Sequence, residues 1–137
     1  MTASVLTIAA VLGLGGLGVG PPALAAPNSM RGEAIYARCL ACHALAYDRV
    51  GPRSCGLLGR RAGSVPGFAY SAAMKQSAII WDEKTLDRFL AAPMKALPGT
   101  AMTYDGVPDH RDRADLIAYL QQANQTPVCR GSPPSRP

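Results

Sequence analysis

Between Asp82 and Pro93 the apolar residues Leu86, Phe89 and Leu90 return at the spacing of one helix face. Asp82 is placed to cap this helix, Glu83 suits its positive end, and Pro93 stops it. A second stripe, Leu116, Ile117, Tyr119, Leu120 and Ala123, predicts a buried face on a last helix starting after Pro108, where Asp109 and Asp112 resemble a capping box. A first helix is predicted from about Ser29 to Leu40, capped by Asn28 or Ser29, with Ala34, Ile35 and Ala37 as apolar positions. A short helix fits Ser71 to Gln76. Ala44 to Val65, punctuated by Gly51-Pro52, Gly56, Gly59 and Gly63, reads as a long irregular stretch, and "KALPGTAMTYDG" as a loop with a Pro98-Gly99 turn. Nothing alternates over enough residues to suggest a sheet, so the fold class is all-α. Few helices joined by long loops bury themselves poorly, and the pattern asks for a core that is not all protein.

Composition sharpens that point. The chain of 137 residues suits one domain, its 48% hydrophobic content argues against global disorder, and it has only two Phe and one Trp to fill a core. Residues 1–25 stand apart: an apolar, glycine-rich run without charge ends at Ala23-Leu24-Ala25, a small-x-small cleavage signal before Ala26. No Lys or Arg precedes the run, so the segment reads as a weak secretory leader, with an uncleaved anchor as the alternative. Export leads to an oxidising compartment, the periplasm, where disulfides persist. Residues 26–124 form the domain, and residues 125–137, rich in Pro and Ser, read as a flexible tail. The net charge of +5 comes mostly from arginine and favours acidic partner surfaces. The basic residues are scattered and form no stripe, which argues against nucleic acid.

The chemistry concentrates in "RCLACHAL". A redox dithiol would want a strand-to-helix context that is absent here. Zinc would need four ligands, and Cys39, Cys42, Cys55 and Cys129 supply them on paper, but the last two are lone residues without a knuckle partner. A chance pair of structural cysteines would leave the poor core unexplained. Covalent haem uses both thiols, added across two vinyl groups, and sets His43 beneath the iron; it alone explains why a histidine follows at once. Among the methionines, Met102 lies in a Pro-Gly-punctuated loop that can swing over the iron, whereas Met74 and Met94 sit at or near helices, where packing is the commoner use.

"CLACH", "VGPRSCGLLGRRAG", "PGFAYSAAM", "IIWDEKTLDRFLAAP", "LPGTAM" and "RADLIAYL" follow one another in the order of a class I cytochrome c, and the chain resembles the mitochondrial and alpha-proteobacterial soluble type over about residues 31–124. The resemblance implies about four short helices and long loops wrapped around one covalent haem c. It implies Cys39 and Cys42 as thioether residues, His43 and Met102 as axial ligands, and the Pro52 carbonyl as the acceptor that orients His43. Arg60, Tyr70 and Trp81 match positions that hold a buried propionate, and Thr100 one near the other propionate. Gly32 would meet the Leu116–Tyr119–Leu120 face where the first and last helices cross.

The sequence departs from that family at several places. Phe89 stands where a tyrosine usually bonds the methionine sulfur, Met74 replaces an asparagine, Tyr104 replaces a phenylalanine at the haem edge, and Met94, Ala101, Pro108 and Asp109 thin a usually lysine-rich rim. In the resembled fold the Cys55 loop lies near the end of the last helix, which implies a Cys55–Cys129 disulfide tethering the tail. Closing a loop of about 75 residues would contribute on the order of 4 kcal/mol. His110 reads as exposed and inert. The function implied is a monomeric one-electron carrier, not an enzyme. Its partners would be a cytochrome bc complex, a terminal oxidase or a periplasmic dehydrogenase; permanent membership of such a dehydrogenase is the alternative. Arg38, Arg49 and Lys95 would steer docking.

Overall fold

The computed structural model describes residues 25–131, and the leader or anchor expected over 1–25 lies almost wholly outside them, as does the end of the tail. The first helix, α1, spans Ser29–Tyr36 and is capped by the Asn28 side chain, which accepts from the Arg31 N–H. It is shorter than predicted: from Ala37 to Cys39 the chain tightens into a 3₁₀ turn. After a long irregular segment come α2, Ala72–Gln76, capped by Ser71, and α3, Glu83–Ala91. Asp82 and Thr85 cap each other reciprocally at the start of α3.

Pro93 ends α3 as predicted but also opens a further turn, α4, Pro93–Ala96, so the predicted loop begins later than its sequence suggests. The reason is that a proline with no N–H to place fits the first position of a new helix. The longest helix, α5, runs from His110 to Ala123, with the Asp109 side chain accepting from the Asp112 N–H. A last turn, α6, Pro127–Arg130, gives order to part of the predicted tail. Among the described residues no strand forms; one isolated bridge pairs Arg61 with Ile80. No described helix is long and apolar enough to cross a membrane.

The first and the longest described helices meet in the α1–α5 packing. Gly32 lies so close to the Asp115 carbonyl and Tyr119 that a Cβ there would overlap both. Beside it, Asp115 is fully buried, accepts from the Asn28 N–H at 2.6 Å, and lies 3.6 Å from Arg31 Nε and 3.7 Å from Arg111 Nε. Arg113, also buried, spans from Asp87 to the carbonyls of Val107 and Pro108 and so fixes the loop before α5 against α3.

Two apolar clusters result. One gathers Ile35, Tyr36, Val107, Leu116 and Leu120, with Cys39 and Tyr104 against it. The other gathers Ala62, Met74, Trp81, Leu86, Phe89 and Ile117, with Tyr70 and Met102 against it. Leu57 and Leu90 touch both. Cys55 and Cys129, 74 residues apart, are joined by a disulfide with their Cα atoms 5.2 Å apart. That bond takes both sulfurs away from any four-cysteine zinc site.

Candidate haem site

The turn that ends α1 shapes the Cys39–His43 motif. The amides of Cys42 and His43 both donate to the Cys39 carbonyl, at 3.0 and 2.8 Å, and this wraps the motif around one oxygen. Cys39 is half-buried and Cys42 exposed, and both thiols are free. Burial pushes the Cys39 thiol above its ordinary range, with Arg38 pulling partly against it.

The loop that follows returns across His43. The Gly51 amide donates to the Cys42 carbonyl at 2.7 Å, and His43 Nδ1 lies 2.8 Å from the Pro52 carbonyl. A carbonyl only accepts, so Nδ1 carries the proton and Nε2 keeps its lone pair. Among the described residues no hydrogen bond engages Nε2. Gly51 makes the return possible, because a Cβ there would overlap the imidazole. In the sequence Gly51 reads only as loop punctuation; its place directly before Pro52 is the signal that would have marked it.

Arg60 is 6% exposed and carries its charge into the interior. Its guanidinium donates to the carbonyls of Cys55 at 2.9 Å and Arg53 at 3.1 Å. Among the described residues no carboxylate pairs with it. Burial pushes its pKa down, with Tyr70 opposing and Arg53 adding to the fall. Burial likewise pushes the Tyr70 hydroxyl up, against the pull of the Val65 backbone and Arg60. Trp81 is brought beside Arg60 through the backbone: its N–H donates to the Arg60 carbonyl at 2.9 Å, and its carbonyl accepts from Gly59 at 2.7 Å. Arg53 and Asp48, which carry no signal in the sequence, form an ion pair at 3.1 Å on this same loop.

Met102 is half-buried on the loop between α4 and α5, against the Trp81–Phe89 cluster. Its amide donates to the Thr100 hydroxyl at 3.3 Å. Thr100, expected near a propionate, thus also braces the methionine loop and still has its own proton to donate. Phe89 stacks at a tilt on Trp81, with ring centroids 5.1 Å apart. Met74 packs in the core and Met94 is exposed. Arg38, Arg49 and Lys95 are exposed, and His110 is exposed at the first turn of α5.

Two free thiols, an imidazole with its tautomer fixed and its outer nitrogen free, a soft thioether in an apolar cluster, and a buried cation lacking an anion fit haem c. The cytochrome c family model matches residues 29–124. Cytochrome c2 of Rhodomicrobium vannielii is 45% identical over 101 residues, covering 72% of this chain and 81% of that protein. Cytochrome c2 of Blastochloris viridis is 40% identical over 117 residues, covering 83% and 92%. The solved structure of cytochrome cH from Methylobacterium extorquens superposes with a TM-score of 0.68 at 40% identity, covering 69% of this chain and 98% of that one. The chain belongs to the cytochrome c family, as a single-haem electron carrier with covalently attached haem c.

Proposed function

We propose that Cys39 and Cys42 carry the two thioether links, that His43 Nε2 and the Met102 sulfur are the axial ligands, and that the protein is no enzyme but a shuttle between exported redox partners. The observation that carries this reading is the His43–Pro52 hydrogen bond at 2.8 Å, which fixes the tautomer that presents Nε2. When bound, the haem supplies a one-electron centre. A thioether and an imidazole held on the iron together would raise its reduction potential and would leave it no position for a substrate. Arg60, Tyr70 and Trp81 are assigned to one propionate: a buried guanidinium without a carboxylate partner supports this for Arg60. Thr100 is assigned to the other. Phe89, lacking a hydroxyl, leaves the Met102 sulfur without the hydrogen bond a tyrosine would give.

The apolar leader supports export to the periplasm. The exposed Arg38, Arg49 and Lys95 support docking on acidic surfaces, those of a cytochrome bc complex, a terminal oxidase or a periplasmic dehydrogenase. The ligand assignment is tested with Met102→Ala. The ferric protein loses the sulfur-to-iron band at the red edge of its spectrum, and the ferrous protein captures carbon monoxide; Met74→Ala and Met94→Ala change neither. A retained band in Met102→Ala overturns the assignment.

A further inference from the structure

We infer that the chain's C-terminal end, through the Cys55–Cys129 disulfide and the Asn124 side chain, is a positioning clamp for the loop that orients His43 and Arg60. The inference rests on the haem ligation proposed above. Residues 48–60 contain no helix or strand, yet three of their carbonyls serve the site. Pro52 accepts from His43, and Arg53 and Cys55 accept from Arg60. A loop without regular structure keeps such acceptors in place only where something outside it holds it.

Two neighbouring holds come from the far end of the chain. Asn124, the residue that closes α5, accepts from the Gly56 amide at 2.6 Å through its side-chain oxygen, while its side-chain amide donates to the Leu120 carbonyl at 3.0 Å. Directly beside it Cys55 is bonded to Cys129. Cys129 is the buried residue of α6, whose neighbour Val128 is 56% exposed, so the turn has little packing of its own and serves chiefly to present the sulfur. A staple with only a stability role would have no need to land on the residue whose carbonyl binds the buried guanidinium. The other long-range holds on this stretch come from the α1 side, Ser54 N to Ala44 at 3.1 Å, Cys55 N to Leu45 at 2.8 Å and Ser54 to the Tyr36 hydroxyl at 3.0 Å, and from Trp81 at the loop's end, whose carbonyl accepts from Gly59 at 2.7 Å and whose N–H donates to the Arg60 carbonyl at 2.9 Å. The clamp adds the holds from α5 and α6, at Cys55 and Gly56 in the middle of the loop.

The test compares the haem-loaded protein with Cys55→Ala/Cys129→Ala and with Asn124→Ala. Exchange of the His43 Nδ1 proton is followed by NMR, and the midpoint potential by equilibrium with a one-electron dye. In the double variant the exchange speeds up at least tenfold, and the dye equilibrium moves at least threefold, where tenfold corresponds to 59 mV for one electron. Asn124→Ala gives smaller changes in the same direction. A double variant that melts earlier but keeps the parent's exchange rate and potential shows a plain staple and overturns the inference. If the double variant does not fold, Asn124→Ala decides alone, and parental exchange there overturns it. Failure of the ligation reading is distinct: the parent protein itself would then show no His-ligated haem spectrum before any variant is compared.

Discussion

Gly51→Ala attacks the site where the chain leaves least room. A Cβ at this position would stand 2.6 Å from His43 Nε2 and 2.7 Å from Nδ1. Ordinary contact of this kind needs about 3.5 Å, so loop and ring must part by roughly 1 Å. The His43–Pro52 hydrogen bond, 2.8 Å in the structure, then stretches beyond the useful limit of about 3.2 Å. Overpacking costs about 1–3 kcal/mol and the lost hydrogen bond about 1 kcal/mol, for a total of roughly 2–4 kcal/mol. For a domain of this size that lowers the thermal midpoint by on the order of 10–20 °C. The potential moves as well: an imidazole whose Nδ1–H has lost its acceptor donates less to the iron, the ferrous state gains, and the midpoint rises. Calorimetry and dye-equilibrium titration of the haem-loaded variant measure both effects. The matched control is Gly59→Ala, where φ is +82° and a Cβ meets nothing within 4 Å. Its cost is left-handed strain alone, about 1–2 kcal/mol, with no change in potential. Gly51→Ala with parental melting and potential would mean that the loop does not lie on the ring.

Asp115→Ala leaves the Asn28 N–H and two arginines facing an interior without their acceptor; because Arg31 and Arg111 keep part of their solvation, the expected loss is about 2–4 kcal/mol, read from the denaturant midpoint, against about 1–2 kcal/mol for Asp48→Ala, which removes a half-buried pair with Arg53 and the acceptor of the Arg53 N–H. The caps Asp82 and Asp109 are held below the ordinary carboxylate range, chiefly by the backbone N–H groups of Thr85 and Asp112. A depressed folded pKa means stability that is present above about pH 4 and is lost as pH falls through the folded value, so Asp82→Asn and Asp109→Asn should lower stability modestly at neutral pH and converge with the parent in acid, which flattens the acid limb of the stability profile. Reduction by an acidic partner should slow as salt rises, and Arg49→Gln or Lys95→Gln should weaken that dependence; a rate unchanged from low to high ionic strength counts against cationic steering.

The parts of the site that were readable in the sequence are those set by local covalent spacing. Two thiols and an imidazole within five positions admit few chemistries, and a methionine in a Pro-Gly loop can reach where a helical one cannot. Caps were readable for the same reason, since Asp82 and Asp109 bond amides three residues on. Pro93 was half-readable: it forbids continuation of α3 but equally suits the start of α4. The end of α1 at Tyr36 was not readable, because the tightening into a 3₁₀ turn serves the packing of the Cys39 carbonyl with two amides. Asp115 and Arg113 lie just before the apolar stripe and carry no signal of their own in the sequence; only the arrival of Asn28 and of Asp87 makes them central. Asn124 escaped for the same reason, as its partner Gly56 is 68 residues away.

The bond between Asn28 and Asp115 spans 87 residues. During synthesis α1 emerges long before α5 and must wait, without its mate, until most of the described chain has been made. Through that interval the Cys39–His43 segment has no finished wall to lean on. The same crossing that makes the mature molecule tight therefore opens a period in which the porphyrin can be welded to an accessible ribbon, and it closes that period when α5 arrives.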